Sequence, residues 1–123
     1  MTDVRRGDVV LVSYPFVAGG EVQRKRRPAL VVQSDRYNRR RVAVILVAIT
    51  STRMHRELPS KVAVGKDTPE GLQAGLRLDS IVDCQTLVTV PREEIRTRLG
   101  RFSVETMQRV DRALEDALGL ARG

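Results

Sequence analysis

A chain of 123 residues that is 41% hydrophobic and 30% charged has the composition of one folded domain, residues 1–123, long enough for a core and too short for two. Its single cysteine and single histidine exclude a disulfide framework and a zinc site of Cys and His ligands within the chain, and aromatic residues at 3% argue against binding single strands by stacking. The net charge of +7 is concentrated: residues 24–41 carry eight cations against Asp35 alone, an excess equal to that of the whole chain and suited to a polyanionic partner.

No run approaches a membrane span and no apolar leader opens the chain, so a cytoplasmic protein without membrane contact is expected. From the N-terminus, Arg6-Gly7-Asp8 reads as a turn and Asp8 to Tyr14 as a strongly β-branched strand that Pro15 ends. Val17 to Gln23 reads as a flexible loop, because paired glycines permit positive φ. Then come Arg24, Lys25, Arg26 and Arg27, directly followed by Pro28 and the apolar run Ala29 to Gln33. Proline cannot donate to a ladder, which places Pro28 at the first residue of that strand. The pattern is a long-looped hairpin with its cations at the tip, a join that sets positive charge at the mouth of a rigid element.

Ser34 to Asn38 reads as a turn or one helical turn. Val42 to Ile49 is apolar at every position and predicts the most buried strand, closed by Thr50-Ser51-Thr52. A short strand is expected at Lys61 to Val64. Gly65 to Leu76, with Pro69, Gly71 and Gly75, reads as loop. Leu78 to Asp83 and Gln85 to Val90 read as strands, or as one bent strand broken near Cys84. Arg92 to Arg98 is open between a helical turn and a strand. The last element is a helix capped by Ser103, with Glu105 in its first turn and a Phe102–Met107 staple. Its apolar face is Met107, Val110, Leu114, Ala117 and Leu118, and Gly119 supplies the stop. The elements predict a fold that is mainly β with a C-terminal α-helix, built as a small, strongly bent antiparallel sheet or barrel.

The ordered set Arg6-Gly7-Asp8-Val9-Val10-Leu11-Val12, Arg27-Pro28-Ala29-Leu30-Val31-Val32, Ala48-Ile49-Thr50-Ser51, Gly75-Leu76 with Ser80-Ile81-Val82, Gln85 to Val90 and Leu99-Gly100, followed by the closing helix, resembles the MazF/PemK family of toxin endoribonucleases over essentially the whole chain. The resemblance implies an SH3-like barrel, a homodimer, and cutting of single-stranded RNA without a metal or other cofactor. It also implies a cognate antitoxin that occupies the RNA groove. It matches Arg27 and Thr50 to the family's catalytic pair.

Those residue types suit the chemistry. When a 2′-hydroxyl attacks the adjacent phosphorus, negative charge builds on the non-bridging oxygens, and a guanidinium is a permanently charged planar fork that matches them. A threonine hydroxyl holds a phosphate oxygen or orients the attacking group. Arginine is a poor base, so a proton-transfer partner is needed; His55 and Glu21 are candidates, and Ser51 is a candidate helper. The family's Gly-Ser-Glu-Gln type segment is replaced here by Gly19-Gly20-Glu21-Val22-Gln23. Arg24, Lys25, Arg26, Arg39, Arg40 and Arg41 are expected to hold the RNA backbone, and Asp83 and Gln85 to border the groove. Cys84 reads as a buried apolar residue rather than a nucleophile. Two alternatives remain from the residues: a non-catalytic toxin of this fold that inhibits a protein such as gyrase, and a basic RNA-binding module without chemistry.

Overall fold

The computed structural model describes residues 3–51 and 57–120, with residues 14–18 given by their backbone. Six antiparallel strands form one sheet in the order β4-β5-β3-β2-β1-β6. They are β1 (Asp8–Ala18), β2 (Glu21–Val31), β3 (Ala43–Ser51), β4 (Lys61–Val64), β5 (Ser80–Pro91) and β6 (Ile95–Arg101). Among the described residues three helices accompany them: α1 (Asp35–Asn38), α2 (Pro69–Ala74) and α3 (Val104–Leu118), and a 3-10 turn at Arg92–Glu94 joins β5 to β6.

The first hairpin is longer than the sequence suggests. β1 and β2 pair from Val9↔Leu30 out to Ala18↔Glu21, and the turn is only Gly19-Gly20. Both glycines have positive φ (59° and 80°), the requirement of the two-residue turn whose twist matches that of the strands. Neither proline breaks its strand. Pro15 lies past the end of the β1–β6 ladder, and Pro28 past the end of the β2–β3 ladder, so each missing N–H faces no neighbouring strand on that side. Arg24, Lys25 and Arg26 therefore lie along an arm of paired strand, not at a loop tip.

Alternation along the central strands buries both faces of the sheet. Val9, Leu30, Val47, Ile49, Val62 and Val82 pack with Cys84, Phe102, Val110 and Ala113 beneath α3. Val10, Val12, Ala29, Val31, Val44, Leu46, Ala48 and Val90 form a second core that no helix covers, so the sheet closes over it by bending. In β3 the residues Leu46 to Ile49 are fully buried, as expected, whereas Ile45, and Val42 just before the strand, are exposed. β4 and β6 remain the two edges, so the bent sheet curls without closing into a hydrogen-bonded ring.

The bend has identifiable causes. In β5 the register against β3 jumps from Val47↔Leu87 to Ala48↔Asp83, so residues 84–86 bulge. Asp83 holds the bulge, its carboxylate accepting from the Gln85 amide (3.1 Å) and the Thr86 hydroxyl (3.0 Å). The break expected near Cys84 is this bulge within one strand. Likewise residues 92–101 resolve the open choice in favour of both forms, a 3-10 turn and then a strand.

Residues 69–74, read as loop, are helical. Thr68 caps α2 by accepting from the Gly71 amide, Pro69 occupies the first helical position where its N–H is not needed, and Gly75 ends the helix at φ 71°. A helix this short leaves no periodicity to read. Its end lies hard against β6. A Cβ at Gly75 would collide with the Leu99 carbonyl, and one at Gly100 with the carbonyls of Gln73 and Ala74. Two glycines thus let the α2–β5 connection sit directly on β6, which builds one wall of the site described next.

Candidate active site

β2 and β3 are hydrogen-bonded only from Val31↔Leu46 to Ala29↔Ala48. Beyond that pair the two strands part, and continuing the register would set Pro28 opposite Ile49 and Arg27 opposite Thr50. Ala29 and Ala48 belong to the second core, and side chains two residues on share a face. Arg27 and Thr50 therefore occupy facing positions on one face, at the point where the ladder opens. Arg27 is also the cross-strand partner of buried Val12, and its Nε is itself out of solvent. A half-buried guanidinium anchored in a paired strand is held far more tightly than one on a loop.

The opening is a cleft of about 450 Å³. Arg27 and Pro28 of β2 and Ile49, Thr50 and Ser51 of β3 form one wall. The α2–β5 connection, Gly75 to Leu78, forms the other, Ser80 lies beside Ser51 as its ladder partner, and Leu11 and Leu99 from β1 and β6 complete the lining. Two guanidiniums, Arg27 and Arg77, and the hydroxyls of Thr50 and Ser51 line it, and no carboxylate does among the described residues. In a partly apolar cleft, charge on a bound phosphate is screened less than in bulk water. The arrangement can hold a phosphodiester and stabilise charge that develops on its oxygens.

The expected site residues divide clearly. Arg27, Thr50 and Ser51 come together in the cleft. Arg24, Lys25 and Arg26 are exposed on the same strand leading into it, with Arg24 near the Ser13 carbonyl (3.4 Å) and Glu94 (3.8 Å). Glu21 is at the hairpin turn, roughly 20 Å along β2 from Arg27. Arg39, Arg40 and Arg41 follow α1, past the opposite end of β2, so the cationic window is split in two by the strand it spans. Arg41 pairs with Asp3 at 2.6 Å. Asp83 is committed to its bulge and Gln85 is exposed upon it; neither lines the cleft. His55 lies outside the described residues. Cys84 is buried, and desolvation, with Asp83 and Asp111 nearby, pushes its thiol up to about 11, which suits a packed apolar residue.

Sequence reasoning missed the second wall. Arg77 and Leu78 had no motif of their own, and only Gly75-Leu76 was part of the recognised pattern. The helix signals Thr68-Pro69 and Gly75 were present, and reading them as cap, first turn and stop would have fixed where the connection begins.

Comparison with known proteins agrees with this fold. A family model described as PemK-like, MazF-like toxin of type II toxin–antitoxin system matches residues 5–118. Endoribonuclease MazF2 of Mycobacterium bovis is 35% identical over 102 residues, covering 82% of this chain and 85% of the relative. Endoribonuclease EndoA of Bacillus subtilis is 31% identical over 117 residues, covering 95% and 96%. A mycobacterial endoribonuclease solved in complex with its cognate antitoxin superimposes with a TM-score of 0.73 at 28% identity, covering 98% of this chain and 99% of that one. The chain belongs to the PemK-like, MazF-like toxin family of type II toxin–antitoxin systems.

Proposed function

We propose that this chain is an endoribonuclease toxin that cuts single-stranded RNA in the Arg27–Thr50 cleft and is neutralised by a cognate antitoxin. The class of activity follows from the curated relatives, which are endoribonucleases at 31–35% identity over most of the chain. The observation that carries the site is the juxtaposition of Arg27 and Thr50 where β2 and β3 separate.

The chemistry forms a bond from a ribose 2′-oxygen to phosphorus and breaks the bond from phosphorus to the 5′-oxygen of the next nucleotide. The 2′-hydroxyl loses its proton, the leaving 5′-oxygen gains one, and the products are a 2′,3′-cyclic phosphate and a 5′-hydroxyl. Arg27 supplies charge to the non-bridging oxygens as the phosphorane forms, and needs no metal to do so. Thr50, on the facing strand, holds an oxygen of the same phosphate or orients the 2′-hydroxyl. Ser51 extends that hydroxyl edge. Arg24, Lys25 and Arg26 guide the backbone toward Arg27 along their strand. Glu21, at the far end of that strand, is not placed to move a proton in the same subunit's cleft.

The same reading includes a homodimer in the cytoplasm. An apolar groove between α1, β3, β5 and α3 exposes Tyr37, Val42, Ile45, Leu87 and Leu118, more contiguous apolar surface than scattered residues produce, and supports pairing with a second copy. Sedimentation should give a dimer for the wild type and a monomer for Ile45→Asp.

The deciding experiment is cleavage of a mixed-sequence RNA in EDTA by the wild type and by Arg27→Ala. Wild-type fragments ending in cyclic phosphate, with a loss of about 10²–10³ in rate for the variant, are expected. Cutting only with added metal, or equal cutting by Arg27→Ala, would sink the mechanism. The protein-targeting and binding-only alternatives find no support in the relatives or in the cleft.

A further inference from the structure

Arg27 and Thr50 use one wall of the cleft, and the opposite wall has a different character. Leu76 and Leu78 stand there with Arg77 between them, and Leu11, Leu99, Pro28 and Ile49 continue the apolar lining. Leu78 is 62% exposed, a large apolar side chain at a cleft mouth that the core does not use. Arg77 is exposed too and makes no ion pair among the described residues.

This wall is built rigidly. The Leu76 amide donates to the Gly71 carbonyl (3.0 Å), the Ser80 hydroxyl donates to the Leu78 carbonyl (2.7 Å), and Asp79 accepts from the Lys66 amide (2.9 Å). The close approach of Gly75 to Leu99 presses the whole connection onto β6. Arg77 and Leu78 are thus presented by a segment tied at both ends.

A phosphate needs cations and hydroxyls, which Arg27, Thr50 and Ser51 already provide; it has no use for six apolar residues. A partly apolar cleft of about 450 Å³ that carries a second cation beside its apolar lining fits a phosphodiester together with the flat ring of its base. We propose that the α2–β5 wall is a nucleotide subsite: one base adjacent to the cleaved bond packs against Leu78, Leu76, Leu11 and Leu99, and Arg77 binds the phosphate next to the scissile one. The subsite makes the cleft selective at one nucleotide position. It rests on the reading that Arg27 and Thr50 act on RNA in this cleft.

The test has two readouts. First, cleavage of randomised RNA by the wild type defines a cut site, and oligonucleotides carrying that site are made abasic at one position at a time. One flanking position should cost about 5- to 100-fold in kcat/KM, and in Leu78→Ala the cost should shrink at that position and no other. Leu78 lies outside the core, so this variant should keep its fold. Second, binding of the fully 2′-O-methylated oligonucleotide is followed against salt. Arg77→Met should lower the slope of log K on log salt by about 0.7, one single-strand phosphate contact, and Arg77→Lys should restore it. An unchanged abasic profile in Leu78→Ala together with an unchanged slope in Arg77→Met overturns the subsite while cleavage stands. If the wild type leaves RNA intact, the cleavage reading falls, and the salt slope alone decides whether Arg77 binds a phosphate.

Discussion

Arg27 of β2 and Thr50 of β3 stand where the next same-face pair of their ladder would form, just past Ala29↔Ala48, and no β2–β3 pair joins them. The sheet holds each residue on its own strand and leaves the space between them open. Ending the ladder early opens a cleft with the positional accuracy of paired strands on either side, and there we place the phosphodiester.

This arrangement predicts coupled effects on catalysis. Thr50→Val should lower kcat about 10- to 100-fold, the scale of one hydrogen bond to a charged group. Arg27→Lys should keep charge but lose the fork, and fall between wild type and Arg27→Ala. If both groups act on one phosphate, as proposed, the double variant Arg27→Ala/Thr50→Val should lose less than the product of the two single losses. Single-turnover cleavage of one oligonucleotide by all four proteins measures the coupling.

The glycine contact between α2 and β6 makes a stability prediction. Gly75→Ala combines positive φ with a collision against the Leu99 carbonyl, and should cost upwards of about 2 kcal/mol and impair cleavage. Gly19→Ala shares the positive φ but meets no atoms, so it should cost only about 1–2 kcal/mol. Urea denaturation of the two variants separates the packing contribution from the backbone one.

The Cys84 thiol, raised to about 11 chiefly by desolvation, should be nearly inert in the folded protein. At pH 8 its labelling by a disulfide reagent should be about a hundredfold or more slower than that of the unfolded chain, whose thiol titrates near 8.5. Labelling in buffer and in concentrated urea checks this. Rapid native labelling would contradict the burial of Cys84 under α3.

Asp35 ties the N-terminal turn to α1. Burial pushes its carboxyl up, but the Arg6 amide (2.7 Å), the Asn38 side chain (3.0 Å) and the nearby Arg101 and Arg39 together hold it below its ordinary value. A depressed carboxylate contributes stability that is complete above the unfolded value near 3.9 and is lost as pH falls through the folded one. Unfolding free energy should therefore drop for the wild type as pH falls below about 4, and less steeply for Asp35→Asn. Denaturation at a series of pH values between 3 and 7 tests the sign.

Much of this architecture was legible because it is local. β-Branched runs marked the central strands, Ser103 and Gly119 bracketed α3, and Thr50 ended the longest apolar run. The misreadings also have physical causes. Pro15 and Pro28 looked like strand limits because a missing N–H breaks a ladder, yet each stands where the neighbouring strand has already ended. Gly19 and Gly20 looked like a floppy loop, whereas paired glycines are also what a two-residue turn demands. The cationic window looked continuous along the chain, but Arg24 to Arg27 lie within β2 and Arg39 to Arg41 follow α1, beyond the end of that strand.

The residues alone determined the chemical inventory: one guanidinium directly ahead of Pro28, one hydroxyl closing an apolar run, and an excess of positive charge confined to one window. Tertiary structure decided which of these meet. Arg27 and Thr50 face each other because of where the β2–β3 register stops, and Arg77 and Leu78 join them because Gly75 and Gly100 let a connecting segment rest on β6. The first fact is not encoded near the residues concerned, and the second is encoded there only through Gly75. Register depends on the pairing of distant strands, and the second wall depends on a backbone contact between segments that only the folded sheet brings together.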